Sequence, residues 1–599
     1  MAATAAARVA HVSFAPLASH LTLRLRLHNE QKTFVRPVDE KVERVRYRLQ
    51  LMASTVSTGH KKNKRKKQQQ QKKHKHGPSG GPAPTVSVRF YDGEGNEIAA
   101  KGATVGDALM RTKRLDIGTE TFVVLHNQPI VKGLKVPDPL MAGIAVIPLV
   151  ETEFCRVDEC SWQWFRINTK IDDEDDEEQS DRTLVNSERR YTPTENDIGC
   201  RFYVECRGPA ADASLELARD HKAGRVTTPV LPGPNRDVFK DRRRMGVVAA
   251  GEKYPDVADA FRVMSYNVLY DGYATSERAQ KNMFPYVNAR VMKESRRMQL
   301  ILQEIEENNS DIICLQEMGE HVYKRFFQPM LSLSGYHGFY SDKTGTTNEG
   351  CATFIRTACF EVVEEDTVDL TAAVTTSTNS ASQELLQDFP DIAAGIKRIP
   401  SIAQIFVLRS KADPARRIIL SNTHLFYRGD AHLIRLLQGA AVVECVSQRK
   451  AVSGYGDAAV VMCGDWNAHP KAPLVAFLLD GQIDSTNCHW QEAPSFRWKT
   501  PQSDGSDANS RVESTTQVRP NRLVHDLCLV SACGIPAFTN FVKSFVDTLD
   551  YIMVGSKALQ VRDVFPFFTE EEVSHEVALP SSTFPSDHVS LVCDLSWQV

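Results

Sequence analysis

From about Phe261 to the C-terminus the sequence predicts an α/β fold, and before it small β-rich domains. Three observations predict this. Short apolar runs recur after Phe261, each ending in a polar residue; an amphipathic helical pattern falls between the first two; and alternating runs broken by turn residues precede them.

A chain of 599 residues is too long for one core, so two or three domains are expected. With 42% hydrophobic and 25% charged residues it reads as an ordinary globular protein. No uninterrupted apolar run approaches the roughly 20 residues that span a bilayer, so no membrane association is expected. Thirteen cysteines lack any CxxC pair, which fits buried free thiols rather than a disulfide framework or a zinc site. The net charge of −3 hides an asymmetry: up to Gly77 there are eighteen Lys/Arg and four Asp/Glu, so the remainder carries a net charge of −17. An acidic body requires metal ions or a local basic groove to accept a polyanion.

Residues 1–83 read as a targeting or low-complexity segment outside any core. The first 29 residues contain no acid but do contain Arg8, Arg24 and Arg26, a composition compatible with a mitochondrial transit peptide or a disordered tail. Met52-Ala53-Ser54 offers an alternative start, which would give a cytoplasmic or nuclear protein. Lys61 to Lys75 is a basic run fit for nuclear localisation, RNA attraction or a solvated spacer, and Gly77 to Pro82 reads as a linker.

Residues 84–150 read as a small β-rich domain: Val86, Val88 and Phe90 alternate ahead of an Asp92-Gly93 turn. Residues 151–235 read as an immunoglobulin-like β-sandwich, from Trp162-Gln163-Trp164-Phe165, an acidic loop at Asp172 to Glu178, and Cys200 to Cys206. The even spacing of Cys200 and Cys206 puts both on one strand face as core residues. Leu231-Pro232-Gly233-Pro234 and the charged stretch through Arg244 mark a boundary before a domain at 255–599.

In that last domain Phe261, Val263 and Ser265 lead into Asn267, and Asp311 to Gln316 into Glu317. Ile418 to Thr423 leads into His424, and Ala459 to Gly464 into Asp465 and Asn467. Thr548-Leu549 leads into Asp550, and Ser586 into Asp587-His588. Met298, Ile301, Leu302 and Ile305 form the helical stripe. Polar groups at the mouths of buried strands are where α/β folds place active sites. Any one of them has a bland reading as a turn, cap or core residue. Their recurrence carries the inference, and hard oxygen ligands of this kind favour Mg²⁺ or Mn²⁺ over zinc.

The series Asn267, Leu315-Gln316-Glu317, Asn422-Thr423-His424, Gly464-Asp465-Trp466-Asn467, Leu549-Asp550-Tyr551 and Ser586-Asp587-His588 resembles the motifs of the endonuclease/exonuclease/phosphatase superfamily. The Thr-His step separates it from the abasic-site endonucleases. Within the superfamily the likeness is to members acting as 2′,5′-phosphodiesterases and poly(A) deadenylases, supported by Ser531 to Gly534, Phe538 to Phe541 and Leu579-Pro580-Ser581. The resemblance implies a two-sheet α/β sandwich with Glu317 as principal metal ligand, completed by Asn267 and Asp587. It also implies that Asp465 and Asn467 orient the attacking water and hold a second ion when substrate is present. Asp550 would hold His588 near the nucleophile or bridging oxygen, and His424 would donate to a nonbridging phosphate oxygen. Either His588 or Asp465 is the general base. Asn540 and Phe545 match base-reading positions, Arg435 and Lys471 are phosphate-contact candidates, and Gly429 stands where the family has a proline.

The implied activity is a metal-dependent 3′→5′ exoribonuclease releasing 5′-AMP from poly(A) and 2′,5′-oligoadenylate. The expected partner is RNA, with no obligate protein partner, and the expected location is mitochondrial. The rivals are a cytoplasmic deadenylase, a dinucleotide 2′-phosphatase, and an inactive RNA-binding scaffold.

Overall fold

The computed structural model describes residues 8–15, 18–28, 30–54, 86–167, 182–209, 221–254, 260–343, 345, 348–497 and 518–598. The basic run, the Gly/Pro linker and the acidic loop at Asp172 to Glu178 lie outside these residues. Two compact units are present: Met1–Pro137 with Ile147–Tyr191 and Gly199–Pro229, and Asp138–Val146 with Thr192–Ile198 and Val230–Val599.

In the first unit β1 (Arg8–Ser13), β2 (His20–Leu27), β3 (Glu30–Pro37), β4 (Val88–Tyr91), β5 (Arg114–Ile117) and β6 (Glu120–His126) form one sheet, in the order β3-β2-β1-β6-β5-β4. β1 runs antiparallel to β2 and parallel to β6, with Ala10 opposite Leu25 on one side and Val124 on the other. Leu21, Leu23, Leu25 and Leu27 alternate along β2 and none is more than 3% exposed. The helix Val42–Ser54 buries Val42, Val45 and Leu49. The expected tail over residues 1–83 is therefore corrected for residues 8–54. A leucine on every second position of β2 is the burial pattern of a half-buried strand, whatever the overall composition.

Residues 84–150 do not stand alone either, because β4 to β6 complete the sheet begun by β1 to β3. The expected turn after Phe90 is present, with Asp92 Oδ1 accepting from the backbone of Glu94 and Asn96. β7 (Ile130–Lys135) pairs with β8 (Leu149–Glu153). β9 (Ser161–Ile167), β10 (Arg182–Asn186), β11 (Arg201–Arg207) and β12 (Lys222–Val226) form a single antiparallel sheet, ordered β10-β9-β11-β12. This replaces the expected immunoglobulin-like sandwich. Trp164 is buried as expected, but it packs on Tyr191 and Phe202 from the same sheet and its flanking loop. Cys206 is buried on β11, whereas Cys200 precedes the strand and is half-buried, so the two do not share a strand face. All thirteen cysteines are free.

In the second unit two six-stranded sheets are layered. One is ordered β15-β16-β14-β13-β28-β27, from β13 (Phe261–Asn267), β14 (Ile312–Gly319), β15 (Tyr336–Asp342), β16 (Glu349–Arg356), β27 (Leu559–Val564) and β28 (Leu591–Trp597). The other is ordered β17-β18-β19-β20-β26-β23, from β17 (Phe360–Asp369), β18 (Ile402–Ser410), β19 (Arg417–His424), β20 (Ala459–Asp465), β23 (Leu529–Ser531) and β26 (Asp550–Gly555). Two short pairs complete the unit, β21 (Gln482–Asp484) with β22 (Arg522–Val524) and β24 (Asn540–Val542) with β25 (Phe545–Asp547).

Val263, Cys314, Phe406, Ile418, Val461, Ile552 and Leu591 from both sheets form the core between them. Because both faces are covered, these strands read as near-continuous apolar runs rather than as alternations. The predicted stripe Met298, Ile301, Leu302, Ile305 lies on the helix Glu294–Asn308 and is buried. A second helix, His432–Lys450, packs its apolar face into a separate core with residues of β18 to β20.

Two polar arrangements lock the layers. Gln316 Nε2 donates to Asn422 Oδ1 at 2.9 Å across the sheets, and Asn422 Nδ2 donates back to Leu315 O at 3.2 Å. Arg262 and Asp594, opposite each other on β13 and β28, form a fully buried pair with Nε 2.6 Å from Oδ1. Arg262 also donates to Asn308 O at 2.9 Å, which ties the helix Glu294–Asn308 to the sheet.

Candidate active site

The register of the second sheet brings three predicted residues into one row: His424 is the cross-strand neighbour of Asp465, and Asp465 of Asp550. From the facing sheet, β13 ends at Asn267 beside Gln316, and β14 carries a bulge between Leu315 and Met318. The bulge breaks the alternation, so Gln316 reaches between the sheets while Glu317 is aimed at the strand ends. Glu317 takes φ +56°, Leu269 φ +56° and Asn467 φ +49°. Left-handed backbone is tolerated by Asn but costs Glu and Leu about 1–3 kcal/mol each, a strain that typically gathers at functional sites.

Asn267 Nδ2 bridges two carboxylates, Glu317 Oε1 at 3.1 Å and Asp465 Oδ2 at 2.9 Å, while its Oδ1 accepts from Leu269 N at 3.0 Å. Glu317 Oε2 accepts from Tyr270 N at 2.9 Å. Asp465 Oδ1 accepts from Asn467 N at 2.9 Å, and Asn467 Nδ2 donates to Leu425 O. Asp550 is set by Thr539, whose Oγ1 accepts from Leu549 N and Asp550 N. Its Oδ2 lies 2.8 Å from His588 Nδ1, which leaves His588 Nε2 facing Asp465 Oδ2 at 3.8 Å. Burial works to lower the His588 pKa, but Asp550, with Asp465 and Asp587 behind it, holds it well above the ordinary histidine value. His424 Nε2 faces the same Asp465 oxygen at 3.7 Å and Glu317 Oε1 at 3.9 Å.

Three supports were not read from the sequence. Lys343 Nζ lies 3.0 Å from His424 Nδ1 and 2.8 Å from Glu349 Oε1. Burial pushes the Glu349 carboxyl up, but Lys343 and the His424 ring overcome it and bring it to about 2. Arg297, fully buried, donates to Asp271 Oδ1 at 2.6 Å, to Val268 O and Leu269 O, and to Pro585 O at 2.7 Å. It thereby clamps the loop after Asn267 to the loop that carries Asp587. Glu349 opens β16 as a strand-start carboxylate, the one signal that could have revealed it. Arg297 reads from sequence as one more charge on an amphipathic helix.

The structure also sorts the substrate-binding candidates. Phe545 is 46% exposed on β25, so it is not a core residue. Asn540 is buried at the start of β24 and pairs by a backbone bridge with His588. Arg435 is corrected: it is 2% exposed and its guanidinium donates to Phe426 O and Gly429 O at 3.1 Å and also to Arg428 O. It braces the loop after His424 from inside the protein. Lys471 is exposed on the loop beyond Asn467.

Residues 264–588 match the Endonuclease/Exonuclease/phosphatase family, a span that contains all the strand ends that carry these groups. The chain belongs to that family. Residues 128–223 match the 2′,5′-phosphodiesterase 12-like N-terminal domain. The chain is 30% identical to 2′,5′-phosphodiesterase 12 of Homo sapiens, over 86% of this chain and 82% of that protein. It is 26% identical to Carbon catabolite repressor protein 4 homolog 1 of Arabidopsis thaliana, over 68% of this chain and 70% of that one. Among solved structures, ANGEL2, a 2′,3′-cyclic phosphatase, is 26% identical, with 57% of this chain and 96% of that chain covered at a TM-score of 0.45.

As an endonuclease/exonuclease/phosphatase member the chain hydrolyses phosphoesters. Its donor set fits a hard divalent cation: the Glu317 and Asp465 carboxylates converge on the Asn267 amide, at 3.1 and 2.9 Å. The Glu317 carboxyl is raised by burial, lowered by His424, and raised again by Glu349 and Asp587. A cation among these carboxylates relieves that crowding.

Proposed function

We propose that the chain is a Mg²⁺-dependent 3′→5′ exoribonuclease that releases 5′-AMP from poly(A) tails and 2′,5′-linked oligoadenylates. The observation that carries this reading is the backbone bridge between Asn540 and His588. It sets a base-reading candidate directly beside the catalytic imidazole, so the base recognised is the one attached to the reacting phosphate. That is the demand of an enzyme working on a terminal nucleotide. Exposed Phe545, on the other strand of the same hairpin, offers a face on which a base can stack. The name of the human relative, 2′,5′-phosphodiesterase 12, supports action on a 2′,5′-phosphodiester.

Glu317 and Asp587, with Asp465, Asn467 and Asn267, would hold Mg²⁺, with Mn²⁺ as the alternative. When bound, the metal supplies Lewis-acid stabilisation of phosphoryl charge and lowers the pKa of water. Asn267 Oδ1 faces Leu269 N, so its ligation requires the amide to turn over. His424 donates from Nε2 to a nonbridging phosphoryl oxygen, because its Nδ1 already accepts from Lys343. His588 is held protonated by Asp550, which leaves Asp465 as the group placed to accept the proton of the attacking water.

The test is to incubate purified protein and its Glu317→Ala variant with 3′-5′ oligoadenylate, 2′-5′ oligoadenylate and oligouridylate, with Mg²⁺ or with EDTA. Metal-dependent release of 5′-AMP from both adenylates, lost in the variant, is expected. Failure on every RNA, with release of phosphate from a dinucleotide 2′-phosphate, would overturn it.

A mitochondrial location is proposed on the acid-free composition of the first 29 residues, although β1 and β2 within them belong to the fold and would have to remain after import. A start at Met52 would delete β1 to β3 and the buried Leu21, Leu23 and Leu25. Imaging of full-length and Met52-start forms tests this, and cytosolic signal from the full-length form would refute it.

A further inference from the structure

Three histidines outside the catalytic cluster meet on one side of the second sheet. His432 opens the helix His432–Lys450, His469 lies in the loop after β20, and His489 lies in the short helix Cys488–Gln491. They are far apart in sequence, yet each offers a ring nitrogen within 4.8 Å of the other two. The ring centroids of His432 and His489 are 4.3 Å apart, those of His432 and His469 5.4 Å, and those of His469 and His489 6.0 Å. All three are partly exposed, so the cluster is open to solvent on one side.

Each ring has a lone pair that an ion can reach. His489 Nδ1 is 3.1 Å from Glu492 Oε2, the carboxylate–imidazole contact that orients a ligating histidine and leaves Nε2 as the donor. His432 Nδ1 accepts only a long contact from Arg435 Nη2 at 3.3 Å, and His469 Nδ1 only one from Lys471 N at 3.2 Å. An ion can take the place of either. The Arg435 charge is turned toward the carbonyls of Phe426, Arg428 and Gly429. Packing three imidazoles together gains nothing as a solvated surface, since any protonated pair repels.

We infer that His432, His469 and His489 form a transition-metal site, selective for Zn²⁺ over Mg²⁺, with a fourth position open to solvent. Three imidazoles and no ligating carboxylate suit a borderline-soft ion, whereas the oxygen-rich catalytic cluster suits a hard one. A bound ion would lie about 2.0–2.1 Å from each nitrogen, so the rings would close in from their present separations. The ion cross-links the loop that follows Asp465 and Asn467 to two helices, and so stiffens the segment that holds the catalytic carboxylate.

The test uses the full chain, stripped with chelator and titrated with Co²⁺ alone and then with Zn²⁺. The readouts are the visible absorption of four-coordinate Co²⁺, the zinc retained after dialysis, and the thermal midpoint. Wild type and His588→Gln, in which the catalytic cluster is impaired, are expected to show the same four-coordinate Co²⁺ band and to retain the same zinc after dialysis. His432→Gln and His489→Gln are expected to weaken binding on the order of 10–100-fold and to lose the zinc-dependent rise in midpoint. Circular dichroism without metal checks folding, and His469→Gln in its loop replaces any variant that fails it. Binding left unchanged by these substitutions, or abolished by His588→Gln alone, would overturn the assignment.

Discussion

Lys343 Nζ lies 3.0 Å from Nδ1 of His424, so the histidine must accept there and carry its ring proton on Nε2. That proton points toward Glu317 and Asp465, where the proposed function places the reacting phosphate. Lys343→Met therefore removes a positioning residue. It should lower kcat on the order of 10²-fold with little change in KM, and it should add little to His424→Ala in a double-mutant cycle. Additive losses would show that Lys343 acts independently of His424.

Asp550→Asn should leave the fold intact but release His588. With the carboxylate gone, the His588 pKa falls from its raised position toward the ordinary value. NMR titration of the metal-free protein should show the imidazole losing its proton at lower pH than in wild type. The accompanying loss in kcat should be on the order of 10²–10⁴-fold.

Glu317→Gln keeps the shape of the side chain and removes its charge. Activity should fall to that of the EDTA-treated wild type, and raising Mg²⁺ should restore only part of it. Urea unfolding without metal should show the variant at least as stable as wild type, because burial and neighbouring carboxylates raise the Glu317 pKa.

Asp594→Asn tests the scaffold apart from the chemistry. It leaves Arg262 fully buried without its charge partner, a change that costs about 3–5 kcal/mol. The urea midpoint should drop accordingly, while kcat at a temperature where the variant is folded should change less than twofold.

Phe545→Ala should raise KM for oligoadenylate and leave kcat nearly unchanged, since a stacking face worth about 1–3 kcal/mol acts on binding. An unchanged KM would remove Phe545 from substrate recognition.

The catalytic half was legible because its strands are covered on both faces and end at once in a polar group, as at Cys463-Gly464-Asp465. Contacts that depend on register between distant strands were not. Lys343 and Glu349 sit at the facing ends of β15 and β16, and only the folded pair carries them to His424. Arg435 misled for the opposite reason: a guanidinium one helical turn into the helix His432–Lys450 reads as exposed, yet the preceding loop folds over it. In the first unit, arginine and alanine near the N-terminus masked the two-residue period of β2, although the leucines that form it are plain in the sequence.

β1 reaches its parallel neighbour β6 across more than a hundred residues, and Phe14 N closes the junction on Asn127 Oδ1 at 2.8 Å. On the ribosome, β1 to β3 emerge ahead of β4 to β6, as a meander with both edges open and an uncovered leucine face. They cannot complete their sheet until His126 has cleared the exit tunnel. A nascent chain stalled before that point presents an edge ready to pair with another copy of itself.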